Sequence, residues 1–418
     1  MNTATTALQT AKFISGMYTE RVRVLYWAHV RGDLFSRLIL PSGHRDPYEI
    51  YEEMRRRGPM LPTRLGNYST TSHRLCNEVL RSRKFGVSLE DGSEDLASLA
   101  GLDLSLLELN PPDHTRIRRL AAPAFTPRRI SGYASLVDQA IQQLLDDCER
   151  THEFDLMASF AAPLPIAVVT HLLGLPNQPE RFRQLGSTIA RALDGIWSIG
   201  QARTLAAADA ELRTTFVELL QDRAAEPGDD LVSALVAEQD QAITATELSA
   251  LVRLLLIAGF ETTVNAIGNG MHWLLADRGQ WELLVADSSR AASVAEEVLR
   301  FDPPVQQTAR VALQSVKVGD VLVAKNQWVM TLLAAANRDP EVYPEPGRFD
   351  ITRETPVEHL AFSGGIHYCL GSPLARLELT QAFRALAERF PKMRQTAPIT
   401  MRPGTTLRGP LRFPVAVT

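Results

Sequence analysis

The chain has 418 residues, of which 45% are hydrophobic and 22% are charged, and its formal net charge is -4. This composition predicts a globular protein with a large core. The slight excess of acidic residues argues against nucleic acid as a partner, because nucleic-acid-binding domains are usually strongly basic.

The chain contains three cysteines, Cys76, Cys148 and Cys369. Their odd number and wide spacing argue against a disulfide framework and favour a reducing cytoplasm. The first residues lack the apolar core of a signal peptide, and no run of about 20 apolar residues predicts a transmembrane segment. We therefore expect a cytoplasmic protein.

The segment from Val24 to Leu40 mixes aromatic and aliphatic residues with Arg31, Asp33 and Arg37. It has two interpretations: a helix packed on the body of the protein, or an amphipathic helix on a membrane surface. We favour the packed helix and expect residues 1–45 to form an N-terminal segment that packs on the body.

Helical patterns dominate the remaining chain, and strand-like alternation is confined to short pieces. Pro47 to Arg57 predicts a short helix, and Met60 to Thr71 predicts two strands that turn at Gly66 and Asn67. Further helices are predicted at Ser131–Arg150, Leu156–Leu173, Gln201–Ala225, Thr244–Arg278, Ala291–Phe301 and Pro373–Phe390. Further strands are predicted at Val305–Leu313, Val316–Val323 and Trp328–Leu333. The predicted fold is mainly α with a small β portion.

The longest predicted helix begins at a capping box formed by Thr244 and Glu247, and Gly279 stands where a C-terminal cap is expected. Residues 254–276 contain a single charge, Glu261. A helix that is apolar nearly all round runs through a protein core. We therefore predict a central, buried helix.

Glu261 has polar and flexible neighbours, because Gly259, Thr262 and Thr263 are all weak helix formers. Glycine permits close approach to the backbone, and a threonine hydroxyl can bend or open a helical turn. One interpretation is that Glu261 and Thr262 relay protons at a helix distortion. The other is that Glu261 pairs with an arginine elsewhere in the chain; the residues alone do not separate the two.

Cys369 lies in a glycine-rich turn that leads into a predicted helix, where free N–H groups and the helix dipole favour a thiolate. Gly365 and Gly371 allow positive φ and a tight wrap around a bulky planar group. Phe362 is placed to pack on such a group, and His367 to meet an anionic substituent. We interpret Cys369 as a metal ligand, and Cys76 and Cys148 as small buried hydrophobes.

These two motifs together resemble those of the cytochrome P450 family of haem-thiolate monooxygenases. The pattern Phe362-x-x-Gly365-x-His367-x-Cys369-x-Gly371 resembles the family's haem-binding signature, and residues 258–263 resemble its distal-helix oxygen-activation motif. Ser363 is a departure, since many relatives have glycine there. The resemblance implies a helical body around a buried haem with a long central distal helix, and a single monooxygenase domain over residues 46–418.

The resemblance also implies roles for residues outside the two motifs. Glu297 and Arg300, three residues apart on one helix face, would form a buried structural pair completed by a downstream arginine, for which Arg348 fits. His114, Arg118 and Arg310 would hold the two haem propionates together with His367 of the cysteine motif. Without the resemblance, His114 and Arg118 also fit an ordinary basic helix.

The implied reaction inserts one oxygen atom of dioxygen into an organic substrate, with heme b as the cofactor and Cys369 as the iron ligand. Thr262 would hydrogen-bond bound dioxygen or a water beside it, and Glu261 would supply protons. Gly259 would contact the cofactor. Two alternatives stay open: a family member with peroxide-driven or rearrangement chemistry, and a non-catalytic haem protein that carries electrons or senses gas.

Electrons are expected to come ultimately from NAD(P)H through a ferredoxin and a ferredoxin reductase on separate chains. Arg116, Arg119 and Arg376 would either steer an acidic ferredoxin or be ordinary solvated residues. We expect a monomer.

The substrate is expected to be bulky and hydrophobic, because the segments implied to line the cavity are mainly apolar. A polyketide, a macrolide or another secondary metabolite is the first expectation, ahead of a fatty acid or terpenoid. The loop-rich stretch from Lys84 to Asn110 is predicted to be a lid. The other implied walls are 175–201, 254–262, 305–308 and 404–406, with Gln306, Gln307 and Thr308 as polar spots.

Overall fold

The computed structural model describes residues 3–40, 43, 46–89, 104–175, 178–239, 242–354 and 357–418, with side chains described from residue 13 onward. The helices before the chain midpoint are α1 (Thr3–His29), α2 (Leu34–Ile39), α3 (Pro47–Arg57), α4 (His73–Arg81), α5 (Asp113–Ala121), α6 (Pro127–Thr151), α7 (Pro163–Leu173) and α8 (Pro179–Ala190). The later helices are α9 (Ile199–Ala225), α10 (Leu231–Val236), α11 (Ala245–Ala276), α12 (Arg278–Ala286), α13 (Ala291–Phe301), α14 (Leu333–Ala336) and α15 (Ser372–Arg389).

The strands are short, with two to five residues each. They are β1 (Met60–Pro62), β2 (Tyr68–Thr70), β3 (Phe85–Gly86), β4 (Glu153–Asp155), β5 (Thr308–Ala312), β6 (Val316–Val318), β7 (Val321–Val323), β8 (Trp328–Thr331), β9 (Arg394–Gln395), β10 (Thr400–Met401), β11 (Pro410–Arg412) and β12 (Pro414–Ala416). The largest sheet has the order β1-β2-β8-β5-β3, and only its β2–β8 pair is parallel. The prediction of a mainly α fold with a small β portion is confirmed.

Helix α11 runs through the core, as its apolar sequence predicts. It begins at the Thr244–Glu247 capping box and ends at Asp277, whose side chain caps α12 by accepting from the Gly279 N–H. Gly279 therefore lies in the first turn of the next helix instead of capping α11, contrary to the prediction. α11 is the one helix in the described ranges that is long and apolar enough to cross a membrane, but 78% of its most apolar window is buried inside the protein.

The segment from Val24 to Leu40 is not one helix. α1 ends at His29, Gly32 adopts a positive φ of 64°, and the Asp33 side chain then caps α2 by accepting from the Ser36 N–H. Val24 and Ala28 are buried against Leu40. Helices α4, α8, α10, α12 and α14 were not among the predicted helices, and α1 begins well before the segment that was considered in the sequence.

Most of the predicted lid, residues 90–103, lies outside the described residues. Its ends are described: Asn110 Oδ1 accepts from the Val87 N–H (2.9 Å), and Asn110 Nδ2 donates to the Ser88 carbonyl (2.9 Å). Asn110 therefore joins the two ends of the stretch beside strand β3.

Candidate functional site

Cys369 lies three residues before helix α15, in a turn that packs against the end of α4. The Cys369 N–H donates to the Phe362 carbonyl (2.9 Å), which closes the turn. Gly365 has a φ of 67°, and a Cβ there would collide with the Leu80 carbonyl oxygen. Gly365 is therefore required for both conformation and space, as predicted. Gly371 has an ordinary φ of -82°, so the prediction of a positive φ there is wrong.

Two opposing effects act on the pKa of the Cys369 thiol. The residue retains exposed surface, yet burial by the surrounding protein raises the pKa of its thiol. The backbone N–H groups of Gly371 and Ser372 and the charges of Arg118 and Arg376 act in the opposite direction. The helix terminus therefore favours the thiolate as expected, but burial is the larger effect on the protein alone.

Four cationic or donor side chains form a cluster beside the cysteine turn. The rings of His114 and His367 are 4.1 Å apart between centroids. Arg118 donates from Nη2 to the Tyr368 carbonyl (2.7 Å). Arg310, on β5, is 4% exposed and donates from Nη2 to the Ser363 hydroxyl (3.2 Å). The fold thus brings together the four residues that the sequence analysis grouped.

The electrostatics of this cluster fit an anionic group. Burial and the neighbouring arginines lower the pKa of His114 to about 4 and that of His367 to about 3. Burial lowers the pKa of Arg310 to about 10. In the described part of the chain no carboxylate pairs with the cluster, and His114 Nδ1 and His367 Nε2 are buried without a hydrogen-bond partner. Buried donors and cations of this kind are stabilised by an anion, and the haem propionates expected from the sequence would fit the cluster in this respect.

Helix α11 has one narrow stripe that is not fully packed against other elements, and we call the space beside this stripe the cleft. Leu255, Ala258, Gly259 and Thr262 are exposed or partly exposed, whereas their neighbours on the helix are buried. Their spacing of three, four and seven residues places them on one face. The helix is α-helical throughout, so the expected opening of a turn is absent. The Thr262 hydroxyl donates to the Ala258 carbonyl (3.1 Å).

Gly259 accounts for a helix crossing. A Cβ at this position would lie 2.8 Å from Val169 Cγ2 on α7. The close approach that glycine permits is therefore used by another helix. A contact between Gly259 and the cofactor stays a prediction.

Glu261 points away from solvent and is paired. Its Oε1 accepts from Arg402, at the end of β10, and its Oε2 accepts from the Ser187 hydroxyl of α8 (2.8 Å). The side chains of Glu261 and Arg402 are only 4% and 9% exposed. Of the two interpretations left open by the sequence, the pairing with a distant arginine is present. This pairing places the Glu261 carboxylate where α11 meets α8 and the end of β10.

The Glu297–Arg300 pair is buried and bidentate, with both N···O distances at 2.7 Å. The third member is Arg353, whose Nε lies 3.3 Å from Glu297 Oε1. Arg348 is exposed and pairs with Glu345 instead, so the prediction of Arg348 in this role is wrong. The Arg348 backbone does contact the pair, because Arg300 donates to the Arg348 carbonyl (3.0 Å). We call Glu297, Arg300 and Arg353 the brace.

The three arginines considered for partner docking differ in their surroundings. Arg116 pairs with Asp113 and Glu247, so it ties α5 to the start of α11. Arg376 pairs with Glu296 and lies over the Phe362 ring, with 4.6 Å from Cζ to the ring centroid. Arg119 is exposed and, among the described residues, has no carboxylate partner.

The remaining cavity segments meet near the C-terminal turn. Gln306 N–H donates to the Thr406 carbonyl (2.8 Å), and Thr406 N–H donates to Asp194 (2.7 Å). The Gln306 side chain is used within the protein, since its amide donates to the Pro303 carbonyl (2.7 Å). Gln307 Oε1 is buried without a partner in the described chain. Gln307 is therefore better suited than Gln306 to form a hydrogen bond with a substrate.

Comparison with known proteins agrees with this geometry. The cytochrome P450 family matches residues 291–412. The putative cytochrome P450 140 of Mycobacterium tuberculosis is 38% identical over 412 residues, covering 93% of each chain. The 6-deoxyerythronolide B hydroxylase of Saccharopolyspora erythraea is 36% identical over 373 residues, covering 84% of this chain and 90% of the relative. The ligand-free structure of CYP164A2 from Mycobacterium smegmatis superimposes with a TM-score of 0.84 at 40% identity, covering 92% of this chain and 99% of that one.

The chain therefore belongs to the cytochrome P450 family. It is an oxidoreductase of the monooxygenase class, and membership of the family implies a haem cofactor.

Proposed function

We propose that this protein binds heme b through the Cys369 thiolate and hydroxylates or epoxidises a bulky hydrophobic metabolite. The observation that carries the proposal is the position of an exposed cysteine next to a cluster of donors and cations that has no carboxylate partner in the described chain. His114, Arg118, Arg310 and His367 are arranged to bind the two propionates, and Arg guanidinium groups suit carboxylate geometry. Phe362, Gly365 and Gly371 shape the turn that carries the sulfur.

When bound through a thiolate, haem supplies the reductive activation of dioxygen. Thr262 lies on the exposed stripe of α11, so its hydroxyl can donate a hydrogen bond into the cleft after releasing the Ala258 carbonyl. Glu261 is the adjacent acid, and its carboxylate is held by Arg402 and Ser187. We assign Thr262 to positioning a proton donor in the cleft, and Glu261 to supplying protons from the side of Arg402.

The sulfur assignment is tested by the carbon monoxide difference spectrum of the reduced protein. Cys369→Ser is expected to abolish the long-wavelength Soret band that a thiolate ligand produces, because an alcohol is a far weaker donor to iron. Cys148→Ala removes a buried cysteine of helix α6 and is expected to leave the band in place. Retention of the band in Cys369→Ser would refute the assignment.

The role of Thr262 is tested by the ratio of product formed to NAD(P)H consumed. Thr262→Ala is expected to keep the haem spectrum and to lower this ratio about tenfold or more, with peroxide released, because proton delivery contributes factors of this size. Thr263→Ala alters the neighbouring threonine, which is buried and off the stripe, and serves as the matched control. Equal coupling in the two variants would remove Thr262 from the proposed role.

For the substrate we propose a polyketide, macrolide or related secondary metabolite. The 36% identity to a hydroxylase of 6-deoxyerythronolide B supports this class, and the apolar stripe of Leu255 and Ala258 is consistent with it. A substrate that binds in the cleft beside the haem would change the spin state of the haem iron. Titrating a panel of macrolactones against fatty acids and terpenoids, with the spin-state shift as the readout, tests the choice.

We further propose that electrons reach the haem from NAD(P)H through a separate ferredoxin and ferredoxin reductase, and that the protein works in the cytoplasm. The family membership supports both proposals. Of the arginines considered for docking, Arg119 is the one that is exposed and unpaired within the described chain. Arg119→Glu is expected to raise the apparent KM for ferredoxin without changing substrate binding.

A further inference from the structure

Helix α1 has two apolar faces. One face packs on the protein: Phe13, Met17, Val24 and Ala28 are all less than 9% exposed. Their spacing of four, seven and four residues defines a single stripe on the helix. This stripe accounts for how α1 is attached to the body.

The opposite face is apolar as well, but it lies in solvent. Tyr18, Val22, Leu25 and Tyr26 follow one another at intervals of four, three and one residues, and Val30 follows just beyond the helix end. Their exposed fractions range from 38% to 65%. These residues make up five of the twelve large hydrophobic side chains that are exposed in the described chain. A cluster of this kind marks an interaction surface, whereas single exposed apolar residues need no explanation. We call these five residues the α1 apolar surface.

The α1 apolar surface is bordered by positive charge. Arg21 and Arg23 are exposed and lie on its two edges, and Arg31 follows Val30. Residues 13–31 contain these three arginines and one acid, Glu20, in a chain whose net charge is -4. Glu20 forms an exposed pair with Arg23 (3.4 Å), and such pairs are weak. The surface is therefore locally basic within an acidic protein.

The helix is held firmly enough to present this surface. Arg21 donates to the Trp197 carbonyl (3.3 Å) and Arg23 donates to the Leu65 carbonyl (2.8 Å). Trp27 packs under Arg64, with 5.8 Å from the guanidinium carbon to the ring centroid. These contacts connect α1 to the β1–β2 turn and to the segment between α8 and α9.

We propose that the α1 apolar surface binds peripherally to an anionic lipid bilayer. Aliphatic side chains on one helix face, tyrosines beside them and arginines at both edges form the pattern of an interfacial helix. The arginines would meet anionic headgroups, each adding to the attraction. A second copy of the chain is a poorer occupant, because a two-fold contact through the same surface would bring Arg21 and Arg23 of both copies together.

The test uses the full-length, haem-loaded protein and sedimentation with lipid vesicles. Binding to vesicles containing phosphatidylglycerol is expected to exceed binding to pure phosphatidylcholine by about tenfold or more, and to weaken as salt is added. The double variant Val22→Glu, Tyr26→Glu is expected to lose about tenfold or more of this binding. Leu322→Glu, which changes a side chain that is 66% exposed on β7, is the matched control and is expected to bind as the original protein does.

Thermal unfolding establishes that the variants are folded, since all three substituted side chains are solvent-exposed. Three results would overturn the proposal. The first is equal binding to neutral and anionic vesicles, or no binding to either kind. The second is unchanged binding of the double variant to anionic vesicles. The third is a concentration-dependent dimer in analytical ultracentrifugation that the double variant abolishes, which would make a second copy the occupant. None of these outcomes affects the assignment of Cys369.

Discussion

At the residue scale, Ser363 adopts a left-handed backbone conformation, with a φ of 62°. This conformation costs about 1–2 kcal/mol for a residue with a Cβ. The Ser363 hydroxyl accepts a hydrogen bond from Arg310, so the same residue orients one of the four donors proposed for the propionates. Serine in place of glycine at this position thus strains the backbone but adds a hydrogen bond with Arg310.

Two substitutions separate the backbone effect from the hydrogen bond. Ser363→Gly and Ser363→Ala both remove the hydroxyl, but only glycine is unstrained at positive φ. Ser363→Gly is expected to be more stable than Ser363→Ala by about 1 kcal/mol in urea unfolding. Equal stability of the two variants would mean that the strain is relieved elsewhere.

Glu378 on α15 is a buried acid that no described partner satisfies. It is 1% exposed, and neither carboxyl oxygen meets a hydrogen-bond partner of good geometry. Burial raises its pKa to about 8, against a small opposing effect of the Thr263 hydroxyl. At neutral pH the group is therefore largely protonated in the folded protein.

This pKa makes the stability of the protein fall as pH rises. The carboxyl ionises near pH 4.5 in the unfolded chain but near pH 8 in the folded one. The stability that the neutral carboxyl contributes is therefore fully present below pH 4.5 and is lost as the pH rises through 8. Glu378→Gln is neutral at all pH values. Relative to this variant, the original protein is expected to lose about 3 kcal/mol of unfolding free energy between pH 5 and pH 8. Urea unfolding of both proteins at the two pH values measures the difference, and a constant difference would contradict the raised pKa.

At the element scale, the crossing of α7 and α11 depends on Gly259. Glycine inside a helix costs about 1 kcal/mol relative to alanine. Helix propensity alone therefore gives no reason for glycine at this position. The packing of Val169 over its Cα gives the structural reason. Helix propensity is local, whereas this contact joins residues 90 positions apart, which no periodicity predicts.

The sign of one substitution tests this crossing. Gly259→Ala is expected to destabilise the protein by about 1–2 kcal/mol, because the added methyl overpacks the contact with Val169. In a Val169→Ala background the same change is expected to be neutral or stabilising, since only the propensity gain remains. A double-mutant cycle by thermal unfolding provides the measurement. Additive effects would show that Val169 is not the obstacle.

At the scale of the whole molecule, the Glu297–Arg300 pair connects α13 to the chain that leads to the cysteine turn. Arg300 donates to the carbonyls of Asn337 and Pro346. Asn337 Oδ1 in turn accepts from the Leu360 N–H (2.7 Å), two residues before Phe362. Glu297 and Arg300 are therefore connected through Asn337 to the segment whose Phe362 carbonyl accepts from the Cys369 N–H.

Arg353 and Arg348 provide a matched comparison for the brace. Arg353→Ala leaves the buried Glu297 with one fewer charge partner and is expected to cost about 2–4 kcal/mol in stability and to reduce haem retention. Arg348→Ala removes an exposed arginine and is expected to cost less than about 0.5 kcal/mol. Urea unfolding and the ratio of haem to protein absorbance measure both effects. The reverse order would restore Arg348 to the role that the sequence suggested.

The sequence by itself determined the features that depend on neighbouring residues. The capping box at Thr244, the Gly66–Asn67 turn and the glycine required at position 365 are local rules of backbone conformation and hydrogen bonding. The cysteine turn and the Glu261–Thr262 pair were recognisable because each is a short run of characteristic residues. The family was recognised from these two motifs. The fold class followed from the dominance of helical periodicity.

Only the tertiary structure decided which distant groups meet. Arg402 lies 141 positions from Glu261, and Arg353 lies 56 positions from Glu297. Several arginines near each site were equally plausible in sequence, because charge and spacing do not specify a partner across such separations. The surface of α1 is a further case, since one apolar helix face is buried and the other is not. Burial depends on how the chain closes on itself, and that is the physical reason why these assignments required the fold.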